Sequence, residues 1–201
     1  MKVTREQAAA NRAHILEAAG RLFRERGFEG VSVAEVMQAA GLTHGGFYGH
    51  FKSKDDLIAQ TLANLASPGR IRARDLAAYA AAYLAPGRWR DVAGGCPVAA
   101  LGVEAGRGAP EAKAAMTAGL RRQLDALSRT APGETLAARR QSAIGSWAAM
   151  VGAVVLARMS DDPALSEEVV ASTRAWIERD AGRQTGSADA LLGEVSLDGP
   201  D

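Results

Sequence analysis

The run Gly41-Leu42-Thr43-His44-Gly45-Gly46-Phe47-Tyr48-Gly49-His50-Phe51-Lys52-Ser53-Lys54 constrains the fold more than any other part of this chain. It joins a helix-breaking turn to a short helix in which Phe47 and Phe51, one turn apart, both face inward. Thr43 stands where a helix cap is needed. The remaining positions then form outward stripes: His44 with Tyr48, Gly45 with Gly49, Gly46 with His50. Each interior glycine costs about 1 kcal/mol of helix stability relative to alanine. Three of them in so short a helix oppose folding, and a backbone that has to approach another molecule closely explains their presence.

The flanking sequence supplies the supports for such a helix. Ile15, Leu16, Ala19, Leu22 and Phe23 recur at steps of three and four, which predicts an amphipathic helix over residues 6–26 that stops at Gly27. Ser32 and Glu35 form a capping-box pattern for a second helix with Val33, Val36, Met37 and Ala40 on its apolar face. Gly41 ends it in the left-handed conformation. Ser53 caps a further helix carrying Leu57, Ile58, Thr61, Leu62 and Leu65, and its first amides, with Lys54, offer an anion site suited to a backbone phosphate. Two helices, a tight turn and a bare third helix are the sequence form of a helix-turn-helix DNA reader.

From about Asn11 to Leu62, and above all in Gly-Phe-Tyr-Gly-His-Phe-Lys-Ser-Lys-Asp, the chain resembles the N-terminal domain of TetR-family repressors. The resemblance implies an all-helical homodimer that binds a palindromic double-stranded operator through its two reader domains. It also implies a variable C-terminal domain that takes a small ligand and thereby weakens DNA binding. By position, Ser32, Thr43, Tyr48, His50 and Lys54 fall where the family contacts phosphates, and Ala34, His44, Gly45, Gly46 and Gly49 where it meets bases. No Arg, Lys, Asn or Gln lies between Thr43 and Phe51, so the side chains best able to pair bidentately with guanine or adenine are missing. Base readout is therefore expected to be sparse and to lean on His44, Tyr48, close backbone contacts and DNA shape.

Composition agrees with this class. With 201 residues and an apolar fraction of 47%, the chain can bury a substantial core. Net charge is only +1, yet residues 1–54 hold 8 basic against 5 acidic side chains, a local surplus of +3. No long uninterrupted apolar run and no signal-peptide core is evident, so a cytoplasmic protein with no membrane partner is expected.

Beyond Ser67-Pro68-Gly69 the composition turns alanine-rich, which places a domain boundary there: a DNA-binding domain with its connecting helix over 1–66, and an effector-binding and dimerisation domain over 67–181. An acidic tail, expected to be mobile or partly helical, covers 182–201. Leu76, Tyr79, Ala80 and Tyr83 mark one helix before Pro86-Gly87, and residues 97–107 a second. Ala112, Met116, Leu120, Leu124 and Leu127 mark a third, closed by Pro132-Gly133. Residues 136–158 are nearly continuously apolar in their second half, through Ile144, Trp147, Ala148, Val151, Val154 and Val155, and so require burial on more than one side. Asp162-Pro163 opens a last helix with Val169, Val170, Thr173, Trp176 and Ile177 on its stripe. Small residues Gly145, Ala148, Ala149 and Gly152 suit close helix approach. The last two helices are the expected dimer interface, in an intersubunit four-helix bundle that the resemblance implies.

The single thiol, Cys96, stands in Gly94-Gly95-Cys96-Pro97 at a helix start, where unpaired amides and the positive dipole end favour a thiolate. The segment is similar to a TetR subgroup with a Gly-Cys helix start, some of whose members sense electrophiles, quinones or oxidants. The bland alternative is a small, buried residue filling a cap position. Tyr79, Tyr83, Met116, Leu120, Trp147 and Met150 are candidates to line an apolar ligand cavity. Trp89, in the loop before Cys96, is positioned to cover its mouth or to anchor the loop.

No enzyme is expected, because His14, His44 and His50 all lie in the reader and leave Cys96 without a general base. No metal site is expected either, since His44 and His50 fall on different stripes and no Cys pair accompanies them. No cofactor is called for. The reading is an all-α, ligand- or electrophile-responsive transcriptional repressor; the alternatives are a regulator that activates, and a helical protein that dimerises without binding DNA.

Overall fold

The structure, a computed structural model, describes residues 4–66 and 73–193, with side chains placed through 181. Every element among them is helical. The order is α1 (Arg5–Arg26), α2 (Val33–Ala39), a 3-10 segment (His44–Gly49), α3 (Lys54–Leu65), α4 (Leu76–Tyr83), α5 (Pro86–Trp89), α6 (Pro97–Arg107), α7 (Pro110–Ser128), α8 (Leu136–Met159) and α9 (Pro163–Gly193). An all-α fold was expected from the sequence and is what forms.

Local chemistry sets the boundaries of the first elements. Thr4 caps α1 by accepting from the Gln7 amide at 3.1 Å. Gly27, at φ +74°, ends α1 in a conformation that side chains rarely adopt. Gly41 does the same after α2 at φ +71°. The Ser32 box is complete: its hydroxyl accepts from the Glu35 amide, and the Glu35 carboxylate accepts from the Ser32 amide.

The chain forms two compact units that are discontinuous in sequence. One combines the N-terminal segment with Gly87–Gln123; the other combines the segment ending at Pro86 with the chain from Leu124 onward. In the first, α1 packs on α2, α3 and α6, and α2 packs on the 3-10 segment. Their shared core contains Ile15, Phe23, Phe28, Val36, Phe47 and Leu57, together with Leu101 and Ala105 from α6. Close packing of α1 on α3 depends on Gly20, where a Cβ would stand 3.1 Å from Leu65 Cδ2.

In the second unit α4, α8 and α9 pack on one another. Ala143, Trp147, Met150, Val154 and Ala157 of α8 are buried with Val170 and Ile177 of α9 and Leu76 and Ala80 of α4. By length and composition α8 could cross a bilayer. Its buried stripe is instead committed to the helices around it, and Arg139 and Arg140 stand in its opening turns.

Three local expectations are corrected. The third helix is 3-10 rather than α, with Gly46 N donating to Thr43 O at 3.1 Å and His50 N to Phe47 O at 2.9 Å. Adjacent glycines at 45 and 46 and a third at 49 remove the propensity that would sustain α-helix, and the tighter winding still turns Phe47 inward. Thr43 is extended as a cap residue should be, but its side chain makes no capping hydrogen bond. Trp89 ends the one-turn helix α5 and is buried, so it is an anchor within its own unit rather than part of an open loop. Of the tail, α9 continues through Gly193, whereas Glu194, Asp198 and Asp201 lie outside the described residues, as do Ser67, Pro68 and Gly69 at the expected domain boundary.

Candidate nucleic-acid interface

Phe47 and Phe51 fix the 3-10 segment from beneath. Their rings stack with centroids 5.7 Å apart, and both are essentially fully buried. Burying an aromatic ring of this kind stabilises the fold by roughly 1.5–3 kcal/mol. With both rings committed inward, Thr43, His44, Gly45, Gly46, Tyr48 and Gly49 are all exposed. Tyr48 is 74% exposed and touches the protein chiefly through an edge-to-face contact with Phe47 at 5.2 Å. His50 is half-buried, because a three-residue pitch carries it back toward the side of Phe47.

Packing does not explain the glycines. A Cβ built at Gly45 or Gly49 meets nothing within 4 Å, and one at Gly46 meets only Met37 Cε at 3.7 Å. The bare surface is therefore free space on the protein side.

Around this face the other candidates are distributed unevenly. Ala34 is exposed on α2, one residue into the helix that supports the recognition segment. The Ser32 hydroxyl donates to Glu35 Oε2 at 2.7 Å while accepting from the Glu35 amide, so its one hydrogen is already used. A phosphate contact there has to displace the carboxylate. Glu35 also pairs with Arg26 at 2.8 Å. Hydrogen bonds from the Ser32 backbone, then its hydroxyl, then Arg26, lower the Glu35 pKa from 4.5 to about 2.

At the start of α3 the geometry modifies the sequence-based anion site. Ser53 Oγ accepts from the Asp56 amide at 3.1 Å, and the Asp56 carboxylate accepts from Lys52 N at 2.9 Å and Gln60 Nε2 at 2.6 Å. The Lys52 amide, then Gln60, hold the Asp56 pKa below its usual value. With Asp55 and Asp56 in the first turn, positive potential for a phosphate comes from the Lys54 and Lys52 side chains more than from bare amides.

Sequence reasoning passed over Arg12, whose guanidinium lies 5.4 Å from the Phe51 ring centroid. It brings another cation beside the reader; its position one turn before Ile15 was the available signal.

The effector candidates divide between the two units. Tyr83, Trp147 and Met150 are buried core of the second unit, where Tyr79 stacks on Tyr83 at 6.0 Å. Met116 and Leu120 are half-buried on the part of α7 that belongs to the first unit, and Met116 packs against its core. Trp89 carries Arg90 over its ring at 4.9 Å. Cys96 is half-buried at the N-cap of α6, extended at φ −68° and ψ 122°, with no side-chain cap hydrogen bond and Pro97 following. Among the described residues no group of three or more His, Cys, Asp or Glu side chains is placed to hold a metal ion.

The sequence pattern of bacterial regulatory proteins of the tetR family matches residues 15–61, the stretch that builds this face. Over these residues the chain carries the N-terminal domain pattern of the TetR family. A curated relative, the HTH-type transcriptional regulator AcrR of Shigella flexneri, is 44% identical over 57 residues, 28% of this chain and 26% of AcrR. The matched stretch thus spans about a quarter of that relative's length. Over the whole fold it is similar to the reduced form of E. coli NemR (TM-score 0.63, 20% identity, 84% of this chain and 95% of NemR). It is also similar to AibR in complex with isovaleryl coenzyme A and operator DNA (TM-score 0.55, 18% identity, 83% and 97%). At these identities the two structures establish a shared fold.

Proposed function

We propose that the protein is a dimeric repressor that binds a palindromic operator and is released from it by a small apolar ligand or by an electrophile acting at Cys96. The observation that carries the DNA reading is the side-chain-poor, exposed face from Thr43 to Gly49, held from below by Phe47 and Phe51. A surface that spends helix stability on glycines without any packing need for them suits close backbone approach to a duplex.

Residues 1–66 act as reader and 67–181 as effector and dimerisation domain. Tyr79, Tyr83, Trp89, Met116, Leu120, Trp147 and Met150 are the effector candidates. Exposed Ile144, Leu156 and Met159 on α8, with Leu165 and Trp176 on α9, support a self-complementary helical interface. Such a dimer sets its readers about one helical turn of DNA apart, or a small multiple of it. The similar structure of AibR is a complex with both isovaleryl coenzyme A and operator DNA, which supports a regulator of this kind taking a ligand.

Fluorescence anisotropy with DNA from the protein's own upstream region tests the reading, using wild type and Cys96→Ser before and after a quinone or hypochlorite. Salt-sensitive, sequence-specific binding is expected, with release by the oxidant only in wild type. Absence of specific binding overturns the DNA reading. Unchanged binding by both proteins after oxidant overturns thiol sensing and leaves noncovalent release.

A further inference from the structure

The last turn of α1 is gripped from two places far away in sequence. Phe28 N donates to Glu104 Oε2 at 2.7 Å, and Arg24 Nε donates to the Ala93 carbonyl. Gly27 makes the first contact possible: a Cβ there would stand 2.7 Å from Glu104 Oε1 and 2.9 Å from Oε2, so the carboxylate occupies the space of the missing side chain. Glu104 is itself fixed, since Leu101 and Ala105 beside it on α6 are buried in the core that holds Phe23 and Phe28. The second contact is equally prepared. Arg24 is 5% exposed, and the Asp91 carboxylate accepts from Gly94 N at 2.8 Å, which shapes the turn presenting the Ala93 carbonyl.

What is gripped leads directly to the reader. Phe28 is buried edge-to-face against Phe23 at 5.4 Å, and Val31 behind it is buried just before the Ser32 cap of α2. α2 in turn lies against the recognition segment, where Met37 Cε is the neighbour of the position Gly46 leaves bare.

We propose that Glu104 and Arg24 are positioning residues for DNA binding: together they hold the turn between α1 and α2, and through it the angle at which the recognition segment is presented. This rests on the DNA-binding reading above. A hydrogen bond from an amide to a carboxylate is among the stronger kinds, and losing it leaves a part-buried amide without that partner. The turn then opens more often, while every side chain that faces a phosphate stays in place. Affinity falls without any loss of counterion release, so the slope of log K against log salt is unchanged.

The test is amide exchange by mass spectrometry on the full chain, together with anisotropy on the protein's own upstream DNA across a salt series. Glu104→Ala is expected to speed exchange over residues 28–35 by about tenfold or more and to weaken DNA binding by about tenfold at constant salt slope. Glu104→Gln, which keeps a carbonyl acceptor, is expected to stay within about threefold of wild type in exchange. If Glu104→Ala loses its helical circular dichroism, Glu104→Asp, one methylene shorter, must show the faster exchange in its place. Wild-type exchange in the shortened variant overturns the proposal, and so does a shallower salt slope, which would make Glu104 part of the contact surface. A wild-type protein that binds no DNA would defeat the DNA reading and with it the positioning role, while the exchange result separately judges whether Glu104 holds the turn.

Discussion

The Glu35 carboxylate accepts from both the backbone amide of Ser32, at 2.8 Å, and the Ser32 hydroxyl, at 2.7 Å, so a single acidic group closes the N-terminus of the helix that supports the reader. Its lowered pKa gives this closure a pH signature. Because the folded value is depressed to about 2 from 4.5, the contribution to stability is complete above 4.5, declines as pH falls from there, and is gone once pH is below about 2. Thermal melts of wild type and Glu35→Gln are expected to differ near neutral pH and to converge at the acid end of that window. A constant gap at all pH values would show that ionised Glu35 does not stabilise α2.

Gly49 separates stability from function. Nothing in the protein lies within 4 Å of the space a methyl would fill, and its φ is not positive. Gly49→Ala is therefore expected to raise stability by about 0.4–1 kcal/mol, through a more restricted unfolded chain. On the proposed reading the same methyl weakens specific DNA binding. Denaturant unfolding and anisotropy, run side by side, check the pair of effects. A stabilised variant with undiminished affinity would show that the bare face is not a docking surface.

Lys54 offers the contrast to a positioning residue. If its ammonium meets a phosphate, Lys54→Ala weakens binding to specific and scrambled duplexes alike and reduces the magnitude of the salt slope by about 1. Asp55 and Asp56 in the same turn limit how much the helix terminus itself can contribute. An unchanged slope would assign the phosphate contact to other cations, for which Lys52, two residues away, and Arg12, whose guanidinium lies 5.4 Å from the Phe51 ring, are candidates.

The parts of the fold governed by neighbouring residues were legible in the sequence. Gly27, Gly41, the Ser32–Glu35 box and Pro97 mark their boundaries by local chemistry, and α6 spans the expected residues 97–107. The inward placement of Phe47 and Phe51 followed from spacing alone. The winding of the recognition segment did not, because α and 3-10 turns put the same two rings inward and differ only in where His50 goes. Contacts across long stretches of sequence were invisible: nothing near Glu104 shows that its carboxylate reaches Phe28, 76 residues away. Nor does the alanine-rich composition after Ser67 reveal that α6 shares a core with α1. The effector candidates were chosen for apolar character, a property that core residues such as Trp147 and Met150 have equally.

The apolar surface left on α8 and α9 bears on oligomeric state. Ile144 and Trp176 are each close to half exposed, whereas their neighbours Ala143 and Ile177 are buried, so each helix has an outward apolar side distinct from its core side. A charge placed outward costs the isolated chain little, because the site stays in water. In an isologous interface the same charge is buried, and the two-fold axis doubles its effect. On the proposed dimeric reading, Ile144→Glu combined with Trp176→Glu is thus expected to give a folded monomer by sedimentation velocity, with unchanged helical circular dichroism and operator affinity lowered by at least about a hundredfold, as paired readers become single ones. A dimer that survives both charges would place the interface on another surface of the chain.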